Sequence, residues 1–316
     1  MPVEIIPPDQ PSSRRPVSEG AEKHLGVEIS VLDHGFVYLV DYMGNDYAIE
    51  EAARVSYGEG TRKVSETEGL IRYLRRHKHT TPFEMVEFKF HAKMPLFVAR
   101  QWVRHRTANI NEYSARYSIL DREFYIPEPQ VLAEQSKSNR QGREEAVSAE
   151  YAENVRSLLI EDALNNYNTY EFLLNDDGTG KASDPNRPML ARELARMGLS
   201  LNYYTQWYWK IDLHNLFHFL NLRMDEHAQL EIRLYANAMA DIVKDAVPVA
   251  WKAFEDYELG SINLTKLEKE TLHLFFERLG INVSEEEVRA IAKTVGMNNK
   301  RETNEMLDKF KDLGIL

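Results

Sequence analysis

The chain has 316 residues, 43% hydrophobic and 28% charged, with a formal net charge of −11 and no cysteine. That composition suits a soluble globular protein with a sizeable core in one large domain or two. It excludes disulfides, thiolate metal sites and thiol nucleophiles, and the acidic balance argues against a general nucleic-acid binder. No run of about eighteen apolar residues would span a membrane and no secretory leader opens the chain, so a cytoplasmic protein is expected.

Residues 1–25, rich in Pro, Ser and charge, predict a disordered tail. Alternation in Val27-Ile29-Val31 and Phe36-Tyr38-Val40 around Asp33-His34-Gly35 predicts two short strands. A helix over residues 47–57 sets Ile49, Ala52, Ala53 and Ser56 on one face and stops at Gly58 and Gly60. A second, over residues 65–77, opens on a capping box of Ser65 and Glu68. After a polar turn with Pro82, Val86, Phe88 and Phe90 alternate with Glu87, Lys89 and His91 as a strand. Pro95 then opens a helix to residue 105, with Leu96, Ala99 and Val103 inward. Further on, a short strand at residues 123–126 and a helix pair over 144–174 are expected, then a loop at 175–188 rich in Asp, Gly, Asn and Pro. A short helix (187–197), an aromatic strand (201–209) and helices from Leu213, Glu226 and Pro248 complete the main body. The tail from Lys266 is helical and charged, broken at Gly280 and Gly296, with Leu267, Leu272, Leu274, Phe275 and Leu279 on one face. The strands and helices do not alternate regularly, which predicts an α+β fold, a mixed sheet flanked by helices with an added C-terminal helical segment. The expected division is tail 1–25, main domain 26–260 and helical extension 261–316.

The most informative stretch is residues 100–117. Arg100, Arg104, Arg106 and Arg116 stand there with His105 and a single acid, Glu112. Guanidinium groups packed this closely repel one another unless an anion gathers them, and their planar fork suits phosphate and carboxylate. A purely solvated face would not need the interleaved Trp102, Val103, Ile110, Tyr113 and Tyr117, so the stretch is read as an anion site. A second polar group follows the aromatic strand: Asp212, His214, His218, Asn221 and Arg223. His214 and His218 share a helical face at a spacing that zinc can use, but Asn215 stands where a metalloprotease has Glu, and no metal site is assigned.

Several blocks in these regions resemble the flavin-dependent thymidylate synthases. Arg104-His105-Arg106, seven residues and then Ser114 is the signature, continued by Asn111-Glu112-x-Ser114-x-Arg116-Tyr117. Ala53-Arg54-Val55-Ser56 and His79-x-Thr81-Pro82-Phe83-Glu84 match upstream. Phe219-Leu220-Asn221-Leu222-Arg223 and His227-Ala228-Gln229-x-Glu231-Ile232 match downstream, so the likeness covers about residues 35–257.

The resemblance implies methylation of dUMP to dTMP, with 5,10-methylenetetrahydrofolate as carbon donor and tightly bound FAD, reduced by NADPH, as hydride carrier. The missing cysteine agrees, because the unrelated thymidylate synthases attack uracil with a thiolate. By the same resemblance Arg223 is catalytic, and Gln101, Trp102, Val103, Arg104, Glu112, Tyr113, Ser114, Ala115 (through its backbone), Arg116, Arg196 and Arg223 bind dUMP. FAD falls to Thr81, Arg104, His105, Arg106, Thr107, Glu112, Asp212, Leu213, His214 and His218. Asn109 stands where the family often has Ser, and Asp212, His214 and His218 where it often has Asn, Arg and Asn. A homotetramer with flavin between subunits is implied, with no nucleic acid or membrane partner. The competing readings are a nucleotide-binding regulator without turnover and a histidine-based metal hydrolase.

Overall fold

The computed structural model describes residues 15–55, 67–137, 142–281 and 283–316. Ser56, the glycines at 58 and 60, and Ser65 of the expected capping box lie outside them. The first strand expectation holds: β1 (Ile29–Val31) and β2 (Gly35–Met43) form an antiparallel hairpin. β3 (Glu87–Pro95) pairs with β2, and β7 (Tyr204–Asp212) pairs with β3. A strand not foreseen, β4 (Asn109–Glu112), adds to the far edge of β7, giving the order β1-β2-β3-β7-β4. Every pairing between these strands is antiparallel, so the sheet is not mixed.

One face of the sheet is apolar because alternate residues of three strands point to it. Val37, Leu39, Phe88, Phe90, Ala92, Trp209 and Ile211 are all buried there. α7 (Leu213–Arg223), α8 (Leu230–Ala246) and α4 (Leu96–Trp102) cover it. Leu213, Leu216, Phe217 and Leu220 are buried as their helical spacing predicts. α8 comes close enough for the Tyr235 hydroxyl to donate to the Lys93 carbonyl at 2.6 Å. The same hydroxyl would lie 2.0 Å from a Cβ at position 35, so only Gly35 fits the β1–β2 turn beneath it.

Before and between the strands lie α1 (Glu19–Glu22), α2 (Asp46–Arg54) and α3 (Thr67–Arg76). α1 falls inside the segment expected to be a tail. Ser18 caps it and donates through Oγ to the Ala246 carbonyl at 2.7 Å, which fastens residues 15–25 to the end of α8.

The helix pair expected over 144–174 is instead a strand and one helix. β5 (Ala133–Gln135) and β6 (Arg143–Ala146) form a separate antiparallel ribbon, and α5 (Ala149–Leu174) runs for 26 residues. The expected strand at 123–126 is reduced to one bridge, Phe124 to Tyr203. α6 (Arg192–Ala195) continues into a 3-10 turn at Arg196–Gly198 and falls within the short helix expected at 187–197. α9 (Pro248–Phe254) closes this unit.

The chain divides at Phe254, so the second compact unit is Glu255–Leu316. It holds a π-helical turn, Glu255–Leu259, then α10 (Lys266–Leu279), α11 (Glu285–Thr294) and α12 (Lys300–Asp312). The helix breaks fall at Gly280 and Gly296, both at positive φ, as a helix stop requires. Val288, Ala292 and Leu307 form its small core, while Leu267, Leu274, Phe275 and Leu279 of the expected apolar face stay exposed. No helix of the described residues is long and apolar enough to cross a membrane.

Candidate functional site

The site grows from the point where β3 turns into α4. Pro95 lacks an N–H and caps the helix in extended conformation, while Leu96 and Phe97 donate to the Tyr203 and Leu201 carbonyls at 2.8 and 3.0 Å. The helix ends at Trp102, three residues earlier than its sequence suggests. Trp102 is fully buried, edge-on to Trp207 and Trp209 at 5.5 and 5.2 Å and beside Phe219 and Tyr235. Among the described residues none of these three buried indole N–H groups finds a hydrogen-bond acceptor. Val98, Ala99 and Trp102 thus form the inward face, and Val103, expected inward, is exposed.

Beyond that anchor the chain runs outward. Arg104, Arg106 and Thr107 are exposed in the turn before β4, and Arg100 is exposed on α4. Among the described residues no carboxylate pairs with Arg100, Arg104 or Arg106. β4 owes its extended form to pairing with β7, since Asn109-Ile-Asn-Glu has little strand pattern of its own. Its last residue, Glu112, accepts from the Thr205 hydroxyl at 2.7 Å, which holds the carboxylate at the strand end.

Arg223 is the last residue of α7 and meets the end of α4. Its terminal nitrogen donates to the Gln101 carbonyl at 3.2 Å, an acceptor at the helix C-terminus that otherwise has only the long contact from Arg104 N at 3.4 Å among the described residues. Its Nε donates to His105 Nε2 at 3.1 Å. Because the guanidinium can only donate, His105 Nε2 must accept, which puts the ring proton on Nδ1. The ring lies edge-on to Phe219 at 4.9 Å and 5.8 Å from His218. Burial, then the charge of Arg223 and then His218 pull the His105 pKa down to about 4. Burial also lowers the Arg223 pKa, though a guanidinium remains charged at any working pH. A half-buried cation is therefore held by two neutral acceptors.

Behind Gln101 stands a polar chain that the sequence did not reveal. The Gln101 side chain donates to Gln229, and Gln229 Nε2 donates to Glu231 at 2.8 Å. Arg143 of β6 grips both Glu231 oxygens at 2.6 and 2.8 Å, and the Tyr125 hydroxyl donates to one at 3.3 Å. Burial acts to raise the Glu231 pKa, but Arg143 outweighs it and the carboxyl ends below its ordinary range. Gln229 and Glu231 belong to a block already matched by resemblance; an acid in that apolar setting was the available signal.

The remaining expected residues fall in three places. Ser114, Ala115 and Arg116 form a turn, with Tyr117 N donating to the Ser114 carbonyl at 3.0 Å and Ala115 packed in a cluster with Leu120, Tyr170 and Ala195. Tyr113 leads into it from β4, its hydroxyl on the Ile119 carbonyl at 3.2 Å. Arg196 is exposed in the 3-10 turn after α6. At the other end of α7, Asp212 caps the helix by accepting from Asn215 N at 2.9 Å, and Thr81 lies in a 3-10 turn (Thr81–Met85) that packs on α7. His214 and His218 follow along α7. The side chains of Trp102 and Leu213 belong to the core, so only their backbones can face a ligand, as is the case for Ala115.

A family model described as "Thymidylate synthase complementing protein" matches residues 38–249. A flavin-dependent thymidylate synthase of Ruegeria pomeroyi is 60% identical over 253 residues, which is 80% of this chain and 81% of that protein. One from Rickettsia typhi is 50% identical over 301 residues, covering 95% of this chain and 99% of its own. Among solved structures, the UMP/dUMP methylase PolB of Streptomyces cacaoi bound with 5-Br dUMP superposes with a TM-score of 0.62 at 30% identity, over 73% of this chain and 98% of its own. This chain belongs to the flavin-dependent thymidylate synthases.

Proposed function

We propose that the protein converts dUMP to dTMP, taking the one-carbon unit from 5,10-methylenetetrahydrofolate, with FAD reduced by NADPH. The observation that carries this reading is Arg223, a half-buried guanidinium whose charge is met, among the described residues, by the Gln101 carbonyl and a neutral His105. A uracil ring becomes nucleophilic at C5 when negative charge on its N3 side is stabilised. A fixed cation beside that side lowers the barrier, and a two-unit shift of the ring's pKa corresponds to about 2.7 kcal/mol. Ser114, the Ala115 backbone, Arg116, Arg104 and Arg196, with Gln101 nearby, supply the donors and charge for the nucleotide phosphate. None of this needs a thiol, and the chain has none.

The donor set fits FAD. Arg104, Arg106 and Thr107 are exposed and free of carboxylate partners among the described residues, as a diphosphate requires, and His105 has a ring N–H to offer. Thr81, Glu112, Asp212, His214 and His218 add polar contacts, although Asp212 is already engaged as a helix cap. FAD, when bound, supplies the hydride that completes the methyl group. The protein's share is to place dUMP by its phosphate, hold charge at the pyrimidine and keep His105 neutral. Arginines in excess of what one phosphate needs support a homotetramer with FAD sites between subunits.

The test is the absorption spectrum of the purified protein before and after anaerobic NADPH, followed by the conversion of labelled dUMP with methylenetetrahydrofolate. A yellow protein that bleaches with NADPH and yields dTMP is expected. A colourless one that takes up no FAD and converts no dUMP would sink the reading; dUMP binding without turnover would favour a regulator.

A further inference from the structure

We propose that Arg192, backed by Asp176 of the loop at residues 175–188, is a positioning residue that sets the Ser114–Arg116 turn for the nucleotide phosphate. This rests on the function proposed above, and it assigns a role to a loop that carries none of the family's motif blocks.

The loop is built, although its composition predicts slack. Asn175 ends α5 in the left-handed region at φ 49, and its buried side chain ties the loop to itself. Its Nδ2 donates to the Asp184 and Arg187 carbonyls at 2.9 Å, and its Oδ1 accepts from Asp184 N at 2.9 Å. Asp176 is next. Its side chain is 3% exposed, and both oxygens are used. Oδ1 accepts from the Gly178 and Gly180 N–H groups, each at 3.0 Å, and Oδ2 accepts from Arg192 at 3.0 Å.

Arg192 spans the gap to the turn. While one terminal nitrogen holds Asp176, the other donates to the Tyr117 carbonyl at 2.6 Å. That carbonyl lies where the turn ends: Tyr117 N closes on the Ser114 carbonyl at 3.0 Å, and Arg116 N donates to the Ser114 hydroxyl at 3.3 Å. One residue along the same turn, Ala115 packs in a cluster with Ala195 of α6. α6 therefore holds the turn twice, by packing at Ala195 and by a charged hydrogen bond at Arg192, and Arg196 follows one helical turn later. A tether for the loop alone would need only the contact to Asp176. The planar fork lets a single side chain bridge a carboxylate and a carbonyl in fixed directions, which one ammonium group cannot reproduce. A phosphate-binding turn gains from such rigidity because ordering it at the moment of binding would cost affinity.

The test uses the full-length, FAD-loaded enzyme with Arg192→Ala, Arg192→Lys and Asp176→Asn. Equilibrium dialysis gives dUMP affinity, initial rates give KM and kcat, and inorganic phosphate serves as a competing anion. Arg192→Ala should weaken dUMP binding and raise its KM by about tenfold or more, with kcat at saturation within about twofold. Inhibition by phosphate should weaken in the same proportion, a change that loss of stability alone would not produce. Arg192→Lys should fail to restore either. Asp176→Asn, which keeps the acceptor for the two glycines, should show the same pattern at about threefold. Unchanged dUMP and phosphate affinity in folded Arg192→Ala, or in Asp176→Asn if the first variant does not fold, overturns the proposal. A wild type that binds dUMP without converting it would sink the reaction and leave these ratios measurable; one that binds no dUMP takes both down.

Discussion

Arginine stands in two different settings in this molecule. Arg104, Arg106 and Arg116 are exposed, whereas Arg223 is half-buried, its pKa lowered by burial, with a carbonyl and an imidazole as acceptors. An exposed cation can attract and orient an anion, but solvent and salt screen it. A cation withdrawn from water, fixed in direction and left uncompensated, can change the electronic state of what lies beside it. The residue type is the same; packing decides which task it performs.

Removing charges from the two sets should separate them. Arg223→Ala should lower kcat by roughly a hundredfold to a thousandfold while the protein keeps its flavin colour. Arg106→Ala should instead weaken FAD binding, and the deficit should narrow as salt is added, because the wild type loses screened charge and the variant has less to lose. Stopped-flow rates and flavin titration at two ionic strengths measure both. Equal losses of kcat in the two variants would erase the distinction.

The support behind Arg223 offers a sharper test, in stability. Glu231 is almost wholly buried and Arg143 about a third exposed, so their removal costs are unequal. Arg143→Ala leaves a buried carboxylate without its cation. Allowing for the exposure of Arg143, the cost is about 2 kcal/mol, or roughly 5 °C in thermal midpoint for a unit of this size. The pH slope should also flatten. In the wild type the lowered Glu231 pKa contributes stability above the ordinary value of 4.5, and it is lost as pH falls through the depressed one. In the variant the Gln229 donor remains but the cation that outweighed burial is gone, so the pKa moves up and that contribution shrinks. Midpoints measured from pH 4 to 7 would show parallel curves if the bridge did not matter.

The sequence made some of this legible and hid the rest for physical reasons. Period-two and helical spacing located β2, β3, α7 and α8 because each buries one regular face. β4 was invisible, since its extended form comes from the edge of β7 and not from its own residues. α4 looked longer than it is because Arg104 and His105 continue the helical spacing, while Trp102 fixes the true end in the core. The arginine cluster and Arg223 could be read from charge and motif. Their junction could not: Arg223 touches His105 across 118 residues of chain and Gln101 across 122, and no periodicity reports such a contact. Glu231 and Arg192 escaped for the same reason, being polar residues whose partners lie far away in sequence.

The finest test of the contrast is the protonation of His105. If neutrality is what lets it hold Arg223, then a proton there would set two cations side by side. Its pKa falls from 6.5 to about 4 on folding, so the unfolded chain binds the proton more readily between those values. The linkage sign follows: the stability is fully present above about 6.5 and is lost progressively as pH drops toward 4. His105→Gln keeps an acceptor for Arg223 and cannot titrate. It forfeits the edge-on contact with Phe219, a cost of about 1 kcal/mol or less at pH 7. Below pH 6 the gap between the two proteins should close, because only the wild type has a His105 to protonate. His218, whose ring lies 5.8 Å away, is present in both proteins and so does not enter the difference. Thermal midpoints of the two proteins at equal flavin content, taken from pH 7 to 5, measure that gap. If it stays constant, His105 is not held neutral by its surroundings, and the difference drawn between Arg223 and its exposed counterparts loses its electrostatic basis.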